Sequence, residues 1–147
     1  MQERFKTFTV LITKINRMIR RIKTEEMAEF NLKSPHVSCL YYLYRENHLT
    51  AKELCDICDE DKASISRSIE FLETNGYIYC DETSKKRYKS PLALTEKGMD
   101  TGKRIAEKID GILDKAGEGL SEENRAILYK SLKLISGNLQ NLCDKYE

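Results

Sequence analysis

The chain has 147 residues, 40% of them hydrophobic and 33% charged, with a formal net charge of +1. That composition suits one globular domain, or a core with appended helices, and excludes a disordered chain. No apolar run approaches the roughly 20 residues of a membrane span, and the start is amphipathic and broken by charges rather than a leader, so a cytoplasmic protein without membrane partners is expected.

Residues 4–23 carry Phe5, Phe8, Leu11, Ile12, Ile15, Met18, Ile19 and Ile22 at the spacing of one helix face, with Lys14, Arg17, Arg20, Arg21 and Lys23 opposite. Ser34-Pro35 reads as an N-cap and a proline at the first helical position, opening a helix over 35–47 with Val37, Leu40, Tyr41 and Tyr44 on one side. Thr50-x-x-Glu53 is a capping box, and a short helix over 51–58 should turn Leu54 and Ile57 inward. Asp61 offers the next cap. The helix it opens, over 62–75, places Ile65, Ile69 and Leu72 toward the core and stops at Asn75-Gly76.

Tyr77 to Cys80 reads as a short strand. Asp81 to Lys89 form a polar loop, and Leu92-Ala93-Leu94 a second strand, with Pro91 inside it marking an edge. Thr95-Glu96-Lys97-Gly98 opens a helix over 96–115. Gly117-x-Gly119 breaks the chain, and Ser121 caps a last helix striped with Leu128, Leu132, Ile135, Leu139, Leu142 and Tyr146. The order α-α-α-α-β-β-α-α predicts a mainly α fold with a small β-hairpin. It is a winged helix-turn-helix over 34–95, flanked by long N- and C-terminal dimerisation helices over 1–33 and 96–147. Amphipathic helices of that length cannot bury their stripes on so small a domain, so a homodimer is expected.

The charge distribution is uneven. Residues 1–23 hold seven Lys/Arg and one acid, whereas residues 50–95 hold seven Lys/Arg and nine acids. Function therefore has to be read from pattern rather than net charge. Opposite its isoleucines, the 62–75 helix carries Ala63, Ser64, Ser66, Arg67, Glu70 and Thr74. Small polar side chains around one arginine suit a helix entering a major groove about 12 Å wide, where serine meets phosphates or base edges and arginine pairs with guanine. Lys62 lies at the helix start, where backbone N–H groups already favour phosphate. Lys85, Lys86, Arg87 and Lys89 crowd the hairpin loop and suit the DNA backbone or minor groove as a wing. A solvated face and a charged turn are the plainer alternatives for these two segments.

Leu49-Thr50-x-x-Glu53-Leu54, Asp61-Lys62-Ala63-Ser64-Ile65-Ser66-Arg67, Leu72-Glu73-x-x-Gly76-Tyr77-Ile78 and Leu94-Thr95-Glu96-Lys97-Gly98 together resemble the MarR family of bacterial regulators. The resemblance spans nearly the whole chain. It implies a homodimer on a palindromic operator in double-stranded DNA, usually a repressor relieved by a small-molecule effector or an oxidant, and no enzyme. It places Lys62, Ser64, Ser66 and Arg67 in the recognition helix and Lys85, Lys86 and Arg87 in the wing. The family's Asp-x-Arg wing element is not kept: its aspartate falls at Lys86 and its arginine at Tyr88, so the wing role passes to Arg87 with Lys86 in support. The alternative function is a winged-helix protein–protein interaction module without DNA binding.

The five cysteines (Cys39, Cys55, Cys58, Cys80, Cys143) are an odd number for a disulfide framework. Cys55-x-x-Cys58 closes a short helix rather than following a strand, so packing is the favoured role and a thiol switch beside the recognition helix the lesser one. With two histidines in the chain, neither a zinc site nor a catalytic set is expected, and no cofactor. An effector could lie near Arg17, Met18 and the tyrosines Tyr41, Tyr42 and Tyr44, although packing explains these equally well.

Overall fold

The structure is a computed structural model that describes residues 2–58, 60–80 and 89–146. The first helix, α1, runs through Gln2–Phe5, a π-helical stretch Lys6–Leu11 and Ile12–Met27. The wider π turns depart from the regular helix expected over this segment. They lie where Thr9 Oγ1 donates to the Phe5 carbonyl and Thr13 Oγ1 to the Thr9 carbonyl, each at 2.7 Å. Such hydroxyls compete with the backbone for helical acceptors. A 3-10 turn, Ala28–Phe30, carries the chain off the helix, and Asn31 ends it at φ 53°.

Then follow α2 (Ser34–Arg45), α3 (Ala51–Cys58), α4 (Lys62–Thr74), β1 (Ile78–Cys80), β2 (Leu92–Leu94), α5 (Glu96–Ala116) and α6 (Glu122–Cys143), with a closing 3-10 turn, Asp144–Tyr146. The strands pair antiparallel in the register Ile78↔Leu94, Tyr79↔Ala93 and Cys80↔Leu92.

Three local expectations are corrected. Ser34 is already helical and Lys33 is the cap, because the His36 ring accepts the Lys33 amide at 3.2 Å through Nδ1. Ile57 is 36% exposed rather than inward. The position beyond Leu54 on the inner side of α3 is filled instead by Cys58, four residues on. Pro91 precedes the second strand and does not interrupt its ladder.

The chain divides into two compact units, residues 1–109 and 110–147. In the first, Val37, Leu40, Leu43, Leu54, Ile65, Leu72, Leu92 and Ile105 form the buried core, contributed by α2, α3, α4, β2 and α5. Burial of each large aliphatic side chain stabilises by about 1.5–3 kcal/mol. Lys108 fastens the end of α1: its Nζ donates to the Glu26 carbonyl at 3.1 Å and meets Glu29 Oε1 at 2.6 Å. That satisfies a terminal helix carbonyl, and the pairing holds the Glu29 carboxyl below the usual range. Tyr41 and Tyr42 pack edge to face with centroids 5.2 Å apart, and Arg45 lies over Tyr41.

Along α1, Phe5, Phe8, Val10, Leu11, Ile15 and Ile19 are exposed. In the second unit, Gly119 takes φ 89° in the turn before Ser121, whose Oγ accepts the Asn124 amide at 3.1 Å. Ile127, Leu128, Leu132, Leu134, Leu139 and Leu142 of α6 are exposed within the single chain.

Candidate nucleic-acid interface

The site is built around α4 and its supports. Thr50 and Glu53 cap α3 reciprocally: the Thr50 amide donates to Glu53 Oε2 at 2.7 Å, and the Glu53 amide to Thr50 Oγ1 at 3.2 Å. Asp61 Oδ1 accepts the Ser64 amide at 2.6 Å and opens α4. A carboxylate there also offsets the positive end of the helix dipole.

From that start the side chains sort by face. Ile65, Ser68, Ile69 and Leu72 are buried; Lys62, Ala63, Ser66, Arg67, Glu70 and Thr74 are exposed, and Ser64 is half-buried. The outer face is therefore uncovered by the first unit and carries the residues expected from the sequence. Ser68, 2% exposed, is an inner position that the apolar pattern does not mark. Phe71 is partly exposed yet stacked flat on His36, with ring centroids 4.1 Å apart and planes 1° from parallel. This stack joins α4 to α2 outside the aliphatic core. Burial, and then Lys33, lower the His36 pKa, so the ring is held neutral.

Behind α4, one short segment braces its exit. Gly76 takes φ 77° and turns the chain into β1. The Thr95 hydroxyl donates to the Gly76 carbonyl at 2.6 Å while accepting the Gly98 amide at 3.1 Å, so one side chain caps α5 and clasps the end of the helix–strand turn. Lys97 Nζ donates to the Asn75 carbonyl at 2.9 Å and lies 4.2 Å from the centre of the Tyr77 ring. The Leu94–Gly98 segment, read from the sequence as the end of a strand, the opening of a helix and a family likeness, thus also has a mechanical role. The Leu92 amide donates to the Leu49 carbonyl at 2.9 Å and ties the hairpin to the loop before α3.

Lys85, Lys86 and Arg87 lie outside the described residues; Lys89 is exposed. Among the described residues, no group of three His, Cys, Asp or Glu side chains is arranged to hold a metal ion.

Residues 32–98 match the model of a winged helix DNA-binding domain. No curated protein matches the chain in sequence. Solved structures match over nearly its whole length. A MarR family transcriptional regulator from Listeria monocytogenes, complexed with 26mer DNA, is 26% identical, with 88% of this chain and 87% of that one covered and a TM-score of 0.80. The chain has the fold of this MarR family structure. A second MarR family regulator, NMB1585 from Neisseria meningitidis, is 22% identical, with 93% and 96% of the two chains covered and a TM-score of 0.80. MepR of S. aureus, in a MepR–DNA complex, is 18% identical, with 91% and 97% covered and a TM-score of 0.78. What the chain shares with these proteins is the fold, with a winged helix DNA-binding domain over residues 32–98. Among the described residues, no helix is long and apolar enough to cross a membrane.

Proposed function

We propose that this regulator acts in the cytoplasm as a homodimer on a palindromic operator, reading sequence with α4 and holding the flanks with the loop after β1. Lys62, Ser64, Ser66 and Arg67 would meet the major groove, and Lys85, Lys86 and Arg87 the backbone or minor groove. The observation that carries the reading is the two-sidedness of α4: Ile65, Ile69 and Leu72 anchor it, while Ser66 and Arg67 stand uncovered. A helix so mounted can enter a groove about 12 Å wide without unpacking its own domain.

The homodimer reading, with residues 1–33 and 96–147 as the helical dimerisation region and 34–95 as the DNA-binding domain, rests on the exposed apolar faces of α1 and α6. Exposed stripes of this kind usually mark a partner. Two copies of α4 would then address half-sites about 34 Å apart. Repression relieved by a small molecule or an oxidant follows from the family resemblance.

Selection of fragments from genomic DNA by the purified protein, with sedimentation of the free protein, tests the proposal. Enrichment of an inverted repeat by a dimer is expected. A monomer, or recovery of fragments without a shared sequence, would overturn it.

A further inference from the structure

The outer face of α4 carries a charge that the contacts proposed above do not use. Ala63, Arg67, Glu70 and Thr74 follow one another at i, i+4, i+7 and i+11, opposite the buried row of Ile65, Ile69 and Leu72, and all four are exposed. Glu70 therefore stands on the mid-line of that face rather than at its margin. The other acid of α4, Glu73, is half-buried and off this line. Among the described residues, neither Arg67 nor Glu70 forms an ion pair or a side-chain hydrogen bond, with each other or with a neighbour.

A carboxylate in that place opposes general DNA binding. Duplex DNA carries one negative charge per about 1.7 Å of its axis. A helix that brings Ser66 and Arg67 to base edges carries Glu70 into the same groove, about 4.5 Å beyond Arg67 along the helix axis. The repulsion is offset where a base edge offers a donor. In the major groove guanine presents two acceptors, and thymine an acceptor and a methyl group. Adenine holds its amino group beside the N7 acceptor. Cytosine alone presents an amino donor with no acceptor next to it. A carboxylate only accepts, so cytosine matches it better than the other three bases do.

We propose that Glu70 is a specificity-determining residue of α4, accepting a hydrogen bond from the N4 amino group of one cytosine in each half-site. This role rests on the DNA reading proposed above. The cytosine lies within about two base pairs of the guanine taken by Arg67, because the offset along α4 is little more than one base-pair rise of about 3.4 Å. Arg67 attracts the duplex as well as its guanine. Glu70 works by exclusion: any other base opposite it leaves the carboxylate unpaired among phosphates.

The full-length wild type, Arg67→Ala, Glu70→Ala and Glu70→Gln proteins are each used to select from a pool of randomised DNA duplexes. Affinities are then measured with all four bases at each position of the wild-type motif. The wild type should require cytosine at one position of each half-site, every other base there costing about 5- to 150-fold in affinity. Glu70→Ala should accept all four bases at that position and keep the others. Glu70→Gln should move the preference to adenine, because an amide donates to N7 while accepting from N6. A side chain that only supported the helix would not exchange one base for another. A wild-type motif with no such cytosine, unchanged costs for each wrong base in Glu70→Ala, or retained cytosine in Glu70→Gln would each overturn the role of Glu70. If Arg67→Ala alters the motif in those cases, the regulator reading stands and Glu70 alone is lost. A wild type that selects no motif removes both.

Discussion

The α-carbon of Gly98 sits against the backbone of Tyr77. A Cβ at this position would fall 2.9 Å from the Tyr77 carbonyl carbon and closer still to its oxygen. The obstacle is backbone, already engaged by the Thr95 amide at 3.0 Å, and it cannot rotate away as a side chain can. Glycine is required here for close approach, not for an unusual φ.

Gly98→Ala should therefore destabilise the protein by about 1–3 kcal/mol, the usual cost of overpacking, with the upper end expected. Gly111 lies within α5, and a methyl group on its α-carbon would meet nothing within 4 Å. Gly111→Ala should stabilise by about 0.5–1 kcal/mol, because alanine loses less backbone freedom in a helix. Urea unfolding of both variants measures the contrast. Equal effects would show that the Gly98–Tyr77 approach is not what limits residue 98.

Asp61 supports α4 through one side-chain acceptor, 2.6 Å from the Ser64 amide. Asp61→Ala should cost about 1 kcal/mol in unfolding free energy, whereas Asp61→Asn keeps an acceptor and most of the stability. Hydrogen exchange at the Ser64 amide gives a local reading of the same loss.

On the proposed interface, Arg67→Ala should weaken binding to a selected operator by about 1–3 kcal/mol and relax base choice at one position in each half-site. Lys86→Ala should weaken all duplexes alike and lower the salt slope by about one. Titrations at several salt concentrations separate the two. Retained operator affinity in Arg67→Ala would remove that residue from the recognition surface.

His36 sets a pH dependence. Its ring is 8% exposed, stacked on Phe71, and accepts the Lys33 amide. The folded pKa lies below the ordinary value of 6.5 because of burial and then Lys33. The unfolded chain consequently takes up the proton first as pH falls. Stability from the neutral ring is fully present above about pH 6.5 and is lost as pH falls toward and through the folded pKa. Urea midpoints at pH 8 and pH 5.5 should differ more in the wild type than in His36→Phe, which keeps an aromatic stack without the titrating group. An unchanged pH slope in that variant would assign the dependence to other groups.

Much of this architecture was legible in residue order. The capping box at Thr50 and Glu53, the Asp61 cap, the Asn75-Gly76 stop and the Ile65/Ile69/Leu72 row are local signals, and each acts within a few residues of its own position. Such periodicity and capping determined the helix order and the outward face of α4 without knowledge of any distant contact.

Choices between neighbouring candidates depended on what each side chain meets across the fold. Cys58, not Ile57, packs against the core from the end of α3. His36 draws the start of α2 back to Lys33, and Thr95 holds Gly76 from nineteen residues away. These contacts are selected by packing and by the need to pair buried polar groups, both set by proximity in space, so one-dimensional spacing carries no record of them.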